Sequence, residues 1–141
     1  MIREARKEDY LAICKICTED LGYECRPELV LSRLESLDKN RERVFVADID
    51  GVVVGFVHVE KYIVLYCESI VNIQGLAVAH NFRKMGLGRN LMKSAETWAA
   101  DNGIHLVRLN SGITRTGAHE FYRNIGYGHE KKQIRFLKEL Q

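Results

Sequence analysis

Residues 72–91 read NIQGLAVAHNFRKMGLGRNL, a short apolar run followed by a basic, glycine-containing turn and a second apolar pattern. The run that ends at Val78 predicts a β-strand. After the turn, apolar side chains recur at helical spacing, at Leu87, Leu91, Ala95 and Trp98. The stretch therefore predicts a strand, a turn and an amphipathic helix, in that order along the chain.

The turn has the composition of an anion site. Arg83, Lys84 and Arg89 surround the two glycines Gly86 and Gly88. Glycine lets the backbone approach a ligand closely, and the first N–H groups of a helix have no intrahelical partner and favour an anion. We therefore expect a phosphate group here, although short Gly-x-Gly turns also connect many strands to helices without binding any ligand.

Two motifs occur in an order that is typical of one protein family. The first is RKMGLG at residues 83–88, which follows LAV at residues 76–78. The second is AHEFYRNIGY at residues 118–127. Together they resemble the acetyl-CoA signature and the closing motif of the GCN5-related N-acetyltransferases, the GNAT family. The resemblance extends over nearly the whole chain.

The resemblance implies an α/β fold of GNAT type, with a mixed, mostly antiparallel central sheet, a splayed parallel strand pair and helices on both faces. It also implies acetyl-CoA as co-substrate, with the pantetheine arm along the main chain of Leu76 and Val78 and the pyrophosphate on the N–H groups of residues 84–89. The residues expected to bind acetyl-CoA are Leu76, Ala77, Val78, Arg83, Lys84, Met85, Gly86, Leu87, Gly88, Arg89, Asn110, Arg115 and Tyr122. Arg115 stands where many members have asparagine, and it could either reach a cofactor phosphate or be a solvated helix residue.

Tyr122 is the candidate catalytic residue. In the family an amine attacks the thioester directly, and a tyrosine at this point of the closing motif sits near the thioester sulfur. A phenol keeps its proton at pH 7 and can donate it to the leaving thiolate. The alternative is an aromatic side chain that packs on the sheet and has no part in the reaction.

The general base is the open point of this mechanism. Many members carry a glutamate on the central strand at the position of Asn72, and an amide cannot serve as a base. Glu68, Glu60 and His58 lie nearby in sequence, and a water chain or the small neutral fraction of the amine would also suffice. We interpret two further histidines as structural: His80 as a surface loop residue and His119 as a packing residue.

Composition excludes several other classes. The chain has 141 residues and a net charge of only +2, with no long run of like charge that would indicate nucleic acid. It has no apolar segment of signal-peptide or membrane-spanning type. We therefore expect a single N-acetyltransferase domain over residues 1–141 that is cytoplasmic, binds neither nucleic acid nor membrane, and could be a homodimer.

The cysteines at Cys14 and Cys17 have the spacing of a redox or metal motif. No second cysteine pair or histidine lies nearby to complete a zinc site, so we expect no metal. Cysteines three residues apart on a helix more often line a core face. Free thiols are compatible with a reducing compartment.

The remaining elements follow from hydrophobic pattern and turn chemistry. Strands are expected at residues 2–5, 44–49, 52–59 with an extension to 62, and 104–109, with a hairpin at Asp50-Gly51. Helices are expected at 7–21, from Pro27 onward, at 86–102, and at 114–125 with Thr114 as N-cap. Residues 127–137 are expected to form a closing strand or strand pair.

The resemblance, which is to a subgroup that includes aminoalkylphosphonate and small-amine acetyltransferases, points to a small primary amine as acceptor. An aminoglycoside or a protein amino terminus stays open. The first alternative is a non-catalytic module that binds acyl-CoA as a sensor, which the absence of a central-strand carboxylate at Asn72 favours. A second is a nucleotide-binding α/β domain that uses the same glycine turn, but the sequence lacks the Gly-Lys-Ser/Thr of a P-loop.

Overall fold

One five-stranded sheet organises the fold. The computed structural model describes all of residues 1–141. Its strands are β1 (Ile2–Glu4), β2 (Glu42–Ile49), β3 (Val52–Tyr62), β4 (Ile70–Val78) and β5 (Val107–Leu109). Its helices are α1 (Tyr10–Asp20), α2 (Pro27–Glu35), α3 (Leu87–Asp101) and α4 (Thr116–Asn124), with single 3₁₀ turns at Lys7–Asp9 and His80–Phe82.

The strands lie side by side in chain order, β1-β2-β3-β4-β5. Neighbouring strands are antiparallel from β1 to β4, whereas β4 and β5 are parallel and are joined through α3. This arrangement confirms the expected mixed, mostly antiparallel sheet with one parallel pair. The chain folds as two compact parts, residues 1–109, which contain the whole sheet, and residues 110–141.

The hairpin between β2 and β3 forms as the sequence predicts. Asp50 and Gly51 have φ values of 51° and 85°, the left-handed pair that a type I′ turn requires. The Gly51 N–H also donates to Asp48 Oδ1 at 2.7 Å. Because the turn matches the twist of the strands, β2 and β3 pair along their full lengths with a single bulge.

Helices cover both faces of the sheet. On one face, Ile13 and Ile16 of α1 pack on Val44, Phe56 and Ala77 of the strands, and we call this the α1 face. Burying each of these larger side chains contributes roughly 1.5–3 kcal/mol.

The opposite face carries α3. A Cβ at Gly55 would lie only 3.2 Å from Leu91 Cδ1, so glycine allows α3 to approach β3 closely. The cations of Arg43 and Lys61 both lie 5.8 Å from the Trp98 ring centroid on this face. We call this side of the sheet the α3 face, and it presents different side chains from the α1 face.

An ion-pair network fixes the sheet's first strand. Arg3 donates to both carboxylate oxygens of Asp9, at 2.9 and 3.0 Å, and its Nε donates to Asp48 at 3.0 Å. Burial alone would raise the pKa of Asp9, but the Arg3 guanidinium and the Arg6 N–H lower it overall. The hydrogen bond from Arg3 likewise lowers the pKa of Asp48. β1 is thus tied to the turn before α1 and to the end of β2.

Strand β5 is shorter than expected, because residues 104–106 do not belong to it. Gly103 is left-handed (φ 70°), and the N–H groups of Gly103 and Ile104 bond to Ala100 and Ala99 at the end of α3. This is the Schellman pattern that closes a helix. The predicted strand therefore begins only at Val107.

Two predictions in the second part of the chain are wrong. Residues 127–137 form neither a strand nor a strand pair. Their apolar members Ile134, Phe136 and Leu137 are exposed, so the strand-like pattern is not accompanied by burial of one face. Thr114 does not cap α4, since the helix begins after Arg115 and no side chain caps it. No helix of the structure has the length and apolar character needed to cross a membrane.

Candidate functional site

The edge of β4 that faces β5 is only partly paired. The parallel ladder joins residues 71–73 to residues 107–109 and stops there. β4 continues to Val78 with β3 on its other side and no strand on the β5 side. Alternate backbone N–H and C=O groups of Leu76 to Val78 are therefore directed to that side without a ladder partner. An extended ligand could bond to them as an added strand would.

The turn after β4 is shaped by two residues with left-handed backbone. Lys84 has φ 63° and Gly86 has φ 79°. Gly86 is the N-cap of α3, and no side chain caps the helix. The N–H groups of Leu87, Gly88 and Arg89 therefore open the helix without an intrahelical acceptor. These groups, at the positive end of the helix dipole, are the ones that the sequence predicts to bind an anion.

The cations of this turn differ in their partners. Arg83 Nε donates to the Val78 carbonyl oxygen at 3.3 Å, and its terminal nitrogen reaches Asp20 at the end of α1 at 3.4 Å. Lys84 and Arg89 are exposed and form no ion pair. Arg83 is thus placed as a brace of the turn, while Lys84 and Arg89 keep their charge available to an anion.

The other predicted cofactor residues of the first part vary in exposure. Met85 is exposed and Leu87 is buried under the turn. Ala77 is buried in the core of the α1 face, so only its backbone could contact a ligand. Leu76 and Val78 are half-buried on either side of it. The backbone, rather than these side chains, is what β4 offers.

Within residues 110–141, Tyr122 lies on α4 in an aromatic cluster. Its ring makes edge contacts with Phe121 and Tyr127, at centroid distances of 5.2 and 6.2 Å. Burial raises the pKa of Tyr122, and the nearby charge of Arg115 opposes part of that shift. The phenol therefore keeps its proton at neutral pH, as a proton donor must.

The other residues of this part that the sequence singles out are Arg115, His119 and Asn110. Arg115 precedes α4, is exposed, and packs its aliphatic stem near Gly112. His119 bonds through Nε2 to the Gly112 carbonyl oxygen at 2.9 Å, and its packing role stays a prediction. Asn110, the first residue after β5, is exposed.

A row of polar residues crosses the α1 face of the sheet, and the sequence did not reveal it. Register pairs Glu42 of β2 with Glu60 of β3, Glu60 with Asn72 of β4, and Asn72 with Arg108 of β5. Residues paired in this way share one face. We call these four residues the polar row. Strand register alone sets this line. Gln74, between Ile73 and Gly75, is an extra, unpaired residue of β4 and forms a β-bulge.

Asn72 has an unsatisfied atom in this row. Its Oδ1 is buried and has no hydrogen-bond partner. Its neighbours on the row are engaged elsewhere: Glu60 lies 4.0 Å from Arg41, and the Arg108 guanidinium lies 4.7 Å from the Tyr62 ring centroid. A buried acceptor without a partner costs about 1–3 kcal/mol, so Asn72 is placed to receive an N–H donor from a ligand.

The base candidates from the sequence separate in the structure. His58 lies on the same face as Asn72, and its Nε2 is 2.7 Å from Glu42 Oε1. Glu60 is the direct cross-strand partner of Asn72. Glu68, in contrast, is exposed in the loop between β3 and β4. His58 and Glu60 are therefore the two candidates that the fold brings to the polar row.

The cysteine pair is joined by a third thiol that the sequence did not connect with it. Cys14 Sγ donates to the Cys25 carbonyl oxygen at 3.4 Å. Burial, followed by the nearby Cys14 and Cys17 thiols, raises the pKa of Cys25 to about 12. All four cysteines of the chain are free, and no three His, Cys, Asp or Glu side chains converge to hold a metal ion. The raised pKa values keep the Cys17 and Cys25 thiols protonated at neutral pH.

The chain is similar in sequence to known acetyltransferases. The profile described as the Acetyltransferase (GNAT) family matches residues 2–127. An uncharacterized N-acetyltransferase of Chlorobaculum tepidum is 32% identical over 135 residues, which cover 94% of this chain and 77% of the relative. An aminoglycoside N(6′)-acetyltransferase type 1 of Salmonella typhimurium is 23% identical over 108 residues, or 74% of each chain.

A solved structure shares the fold. AAC(6′)-Iy in complex with a bisubstrate analogue, CoA-S-monomethyl-acetylneamine, superposes with a TM-score of 0.85 at 20% identity. The match covers 99% of this chain and 98% of the other. At this identity the likeness concerns the architecture alone.

Proposed function

The chain belongs to the acetyltransferase (GNAT) family, and from that premise we propose that it transfers an acetyl group directly to a primary amine of a small molecule. It is an N-acetyltransferase that uses acetyl-CoA, so catalysis replaces the sensor alternative. The observation that carries the proposal is the unpaired edge of β4, which leads within a few residues to the uncapped start of α3.

The proposed cofactor contacts follow from that edge. The backbone of Leu76 and Val78 bonds to the pantetheine amides, and the N–H groups at residues 84–89 hold the pyrophosphate. Hydrogen bonds to such a charged group contribute roughly 1.5–3 kcal/mol each. Lys84 and Arg89 add their free charges. In the second part of the chain, Asn110 and Arg115 complete the proposed set.

Tyr122 is proposed as the proton donor to the leaving thiolate. Its support is the family resemblance of the closing motif together with its raised pKa. No covalent enzyme intermediate is needed, because the amine attacks the thioester carbonyl directly. The C–N bond forms, the C–S bond breaks, and the sulfur takes the phenol's proton.

The acceptor is proposed to be a cation before it reacts. Two of the four residues in the polar row are carboxylates, and both lie on the β2–β3 side of Asn72. Adjacent strands are about 4.8 Å apart, so a second amine on the same molecule could reach Glu60 or Glu42. The relationship to an aminoglycoside N(6′)-acetyltransferase is consistent with such an acceptor.

The experiment is thiol release from acetyl-CoA across a panel of diamines, polyamines, aminoglycosides, aminoalkylphosphonates, amino acids and short peptides. We expect release with cationic small amines and weak release with the phosphonates. Binding of acetyl-CoA without release by any small amine would contradict the proposed acceptor class. Release with peptides alone would instead assign a protein amino terminus. The cytoplasmic location, single domain and homodimer expected from the sequence stay predictions.

A further inference from the structure

We propose that the acceptor amine is held on the α1 face over Gly75, where Asn72 Oδ1 accepts one of its N–H groups and His58, positioned by Glu42, takes its proton. This inference rests on the proposed function, because it concerns the amine side of the same reaction. It assigns the base that the sequence left open.

The first support is space. Gly75 is the direct cross-strand partner of His58. A Cβ built at Gly75 would meet only the Phe56 ring, at 3.6 and 3.9 Å, which is ordinary contact distance. Since Gly75 has no side chain, the position beside His58 is open at side-chain height. An amine nitrogen there would have His58 on the paired strand and Asn72 further along β4.

The second support is the unpaired oxygen of Asn72. The residue is close to Gly75 on β4 and on the same face, because the Gln74 bulge brings both onto the α1 side. Its Oδ1 is buried without a partner. An amide oxygen accepts an N–H without competing for the proton, so it can orient the amine's lone pair toward the thioester while the proton leaves elsewhere.

The third support is the geometry of the imidazole. With a 2.7 Å separation, the N–H at Nε2 of His58 donates to Glu42 Oε1. This tautomer leaves the Nδ1 lone pair free to accept a proton, and the carboxylate stabilises the imidazolium that results. Glu42 is thus a positioning residue. Glu60, in comparison, has Arg41 as its neighbour and no partner that orients its carboxylate in this way.

Charged and titratable groups come close to His58 from several elements. They are Glu42 on β2, Glu60 on β3 with Arg41 beside it, and Arg108 on β5, which is paired with Asn72. On α1, the Cys17 thiol packs against the core of the same face. The two carboxylates, Glu42 and Glu60, favour a cationic acceptor on this face.

The protons balance as follows. An ammonium acceptor loses two protons from nitrogen on becoming an amide. The first passes to Nδ1 of His58 and then to solvent, which produces the neutral amine that attacks. The second passes to solvent after the C–N bond forms, while the thiolate set free by C–S cleavage takes the phenol proton of Tyr122, which solvent then replaces.

The test compares His58→Gln, Glu42→Gln and Gly75→Val with wild type, and uses His105→Gln as the matched control. His105 is an exposed histidine outside the polar row. Each variant is measured for acetyl-CoA affinity by calorimetry and for kcat and KM of thiol release from pH 5.5 to 9, with the best amine of the panel.

We expect His58→Gln to lower kcat by roughly 100-fold or more, the usual effect of a general base, and to abolish the fall of the rate at acid pH. Glu42→Gln should lower kcat less and shift that acid limb. Gly75→Val should raise the acceptor KM. Acetyl-CoA affinity should stay within about twofold in all of them, and His105→Gln should match wild type.

Wild-type rates and pH dependence in His58→Gln would overturn the base assignment. An unchanged acceptor KM in Gly75→Val would overturn the docking position, even if the His58 variant failed to fold. Failure of the proposed function looks different: wild type itself would then bind acetyl-CoA without acetylating any small amine.

Discussion

Arg83 Nε donates to the carbonyl oxygen of Val78 across 3.3 Å, so the first cation of the turn is bonded to the last residue of β4. The same guanidinium also reaches Asp20 at the end of α1. A carbonyl oxygen has two lone pairs, so Val78 can still accept a hydrogen bond from an extended ligand. Arg83 thus holds together three elements that border the proposed pantetheine slot.

Replacing Arg83 with alanine should therefore weaken acetyl-CoA binding through loss of this brace and of one positive charge. Because half of the side chain is exposed, we expect a loss of about 1 kcal/mol, or roughly fivefold in Kd. Calorimetric titration at low and high salt measures this loss. Lys93→Ala, at an exposed position in the middle of α3, is the control and should leave Kd unchanged; an equal loss there would show that only net charge matters.

Gly86→Ala tests the left-handed N-cap of α3. No atom lies within 4 Å of a Cβ at Gly86 or at Gly103, and both have φ above +60°. Each substitution should therefore cost about 1 kcal/mol in unfolding free energy, from backbone strain alone. Only Gly86→Ala should also raise the Kd of acetyl-CoA, because Gly103 lies at the other end of the helix. Equal Kd values for the two variants would remove the anion site from this turn.

Tyr122→Phe should lower kcat by roughly 10- to 100-fold, within the range known for loss of a general acid, with little change in acetyl-CoA affinity. Since burial raises the pKa of Tyr122, the phenol stays protonated beyond the usual pH 10. The wild-type rate should accordingly show no loss of this donor between pH 7 and 9. Tyr66→Phe, at a ring that is 84% exposed, provides the control. An unchanged kcat would assign Tyr122 to packing.

The Arg3 network predicts acid sensitivity. The pKa values of Asp9 and Asp48 are lowered in the folded state, so their stabilisation is present above about pH 4 and is lost as pH falls through the folded pKa values. Asp9→Asn should cost about 2 kcal/mol at pH 7 and should flatten the decline in urea-unfolding free energy between pH 5 and 2. Glu130→Gln, which breaks the exposed pair with Arg123, should change stability far less. An equally steep acid decline in Asp9→Asn would contradict the assignment.

Elements that depend on local chemistry could be predicted from the sequence. Asp50-Gly51 favours a type I′ turn whatever surrounds it, and the apolar spacing from Leu87 to Trp98 has one helical solution. Whether residues 127–137 form a strand could not be decided from local chemistry. Their apolar pattern resembles that of a strand, but a strand also needs a partner and a covered face, and neither property is local.

The polar row at the candidate site could not be predicted from local sequence either. Glu42, Glu60 and Asn72 are distant in sequence, and only strand register brings them into line. The partnership of His58 with Glu42 likewise depends on the pairing of β2 with β3. The candidate cofactor site at β4 and α3 could be proposed from the sequence because it lies within one continuous stretch, whereas the proposed amine site is assembled across the sheet.

The bulge at Gln74 has a consequence for how this chain can change in length. Its neighbours Ile73 and Gly75 already pair with adjacent residues of β3, Val59 and His58. A chain that lost Gln74 would keep every other pairing of β4 and every side chain on its present face. Loss of another residue in the strand would instead move the residues between it and the bulge to the opposite face. Gln74 is therefore the position in β4 where a deletion is expected to change the sheet least.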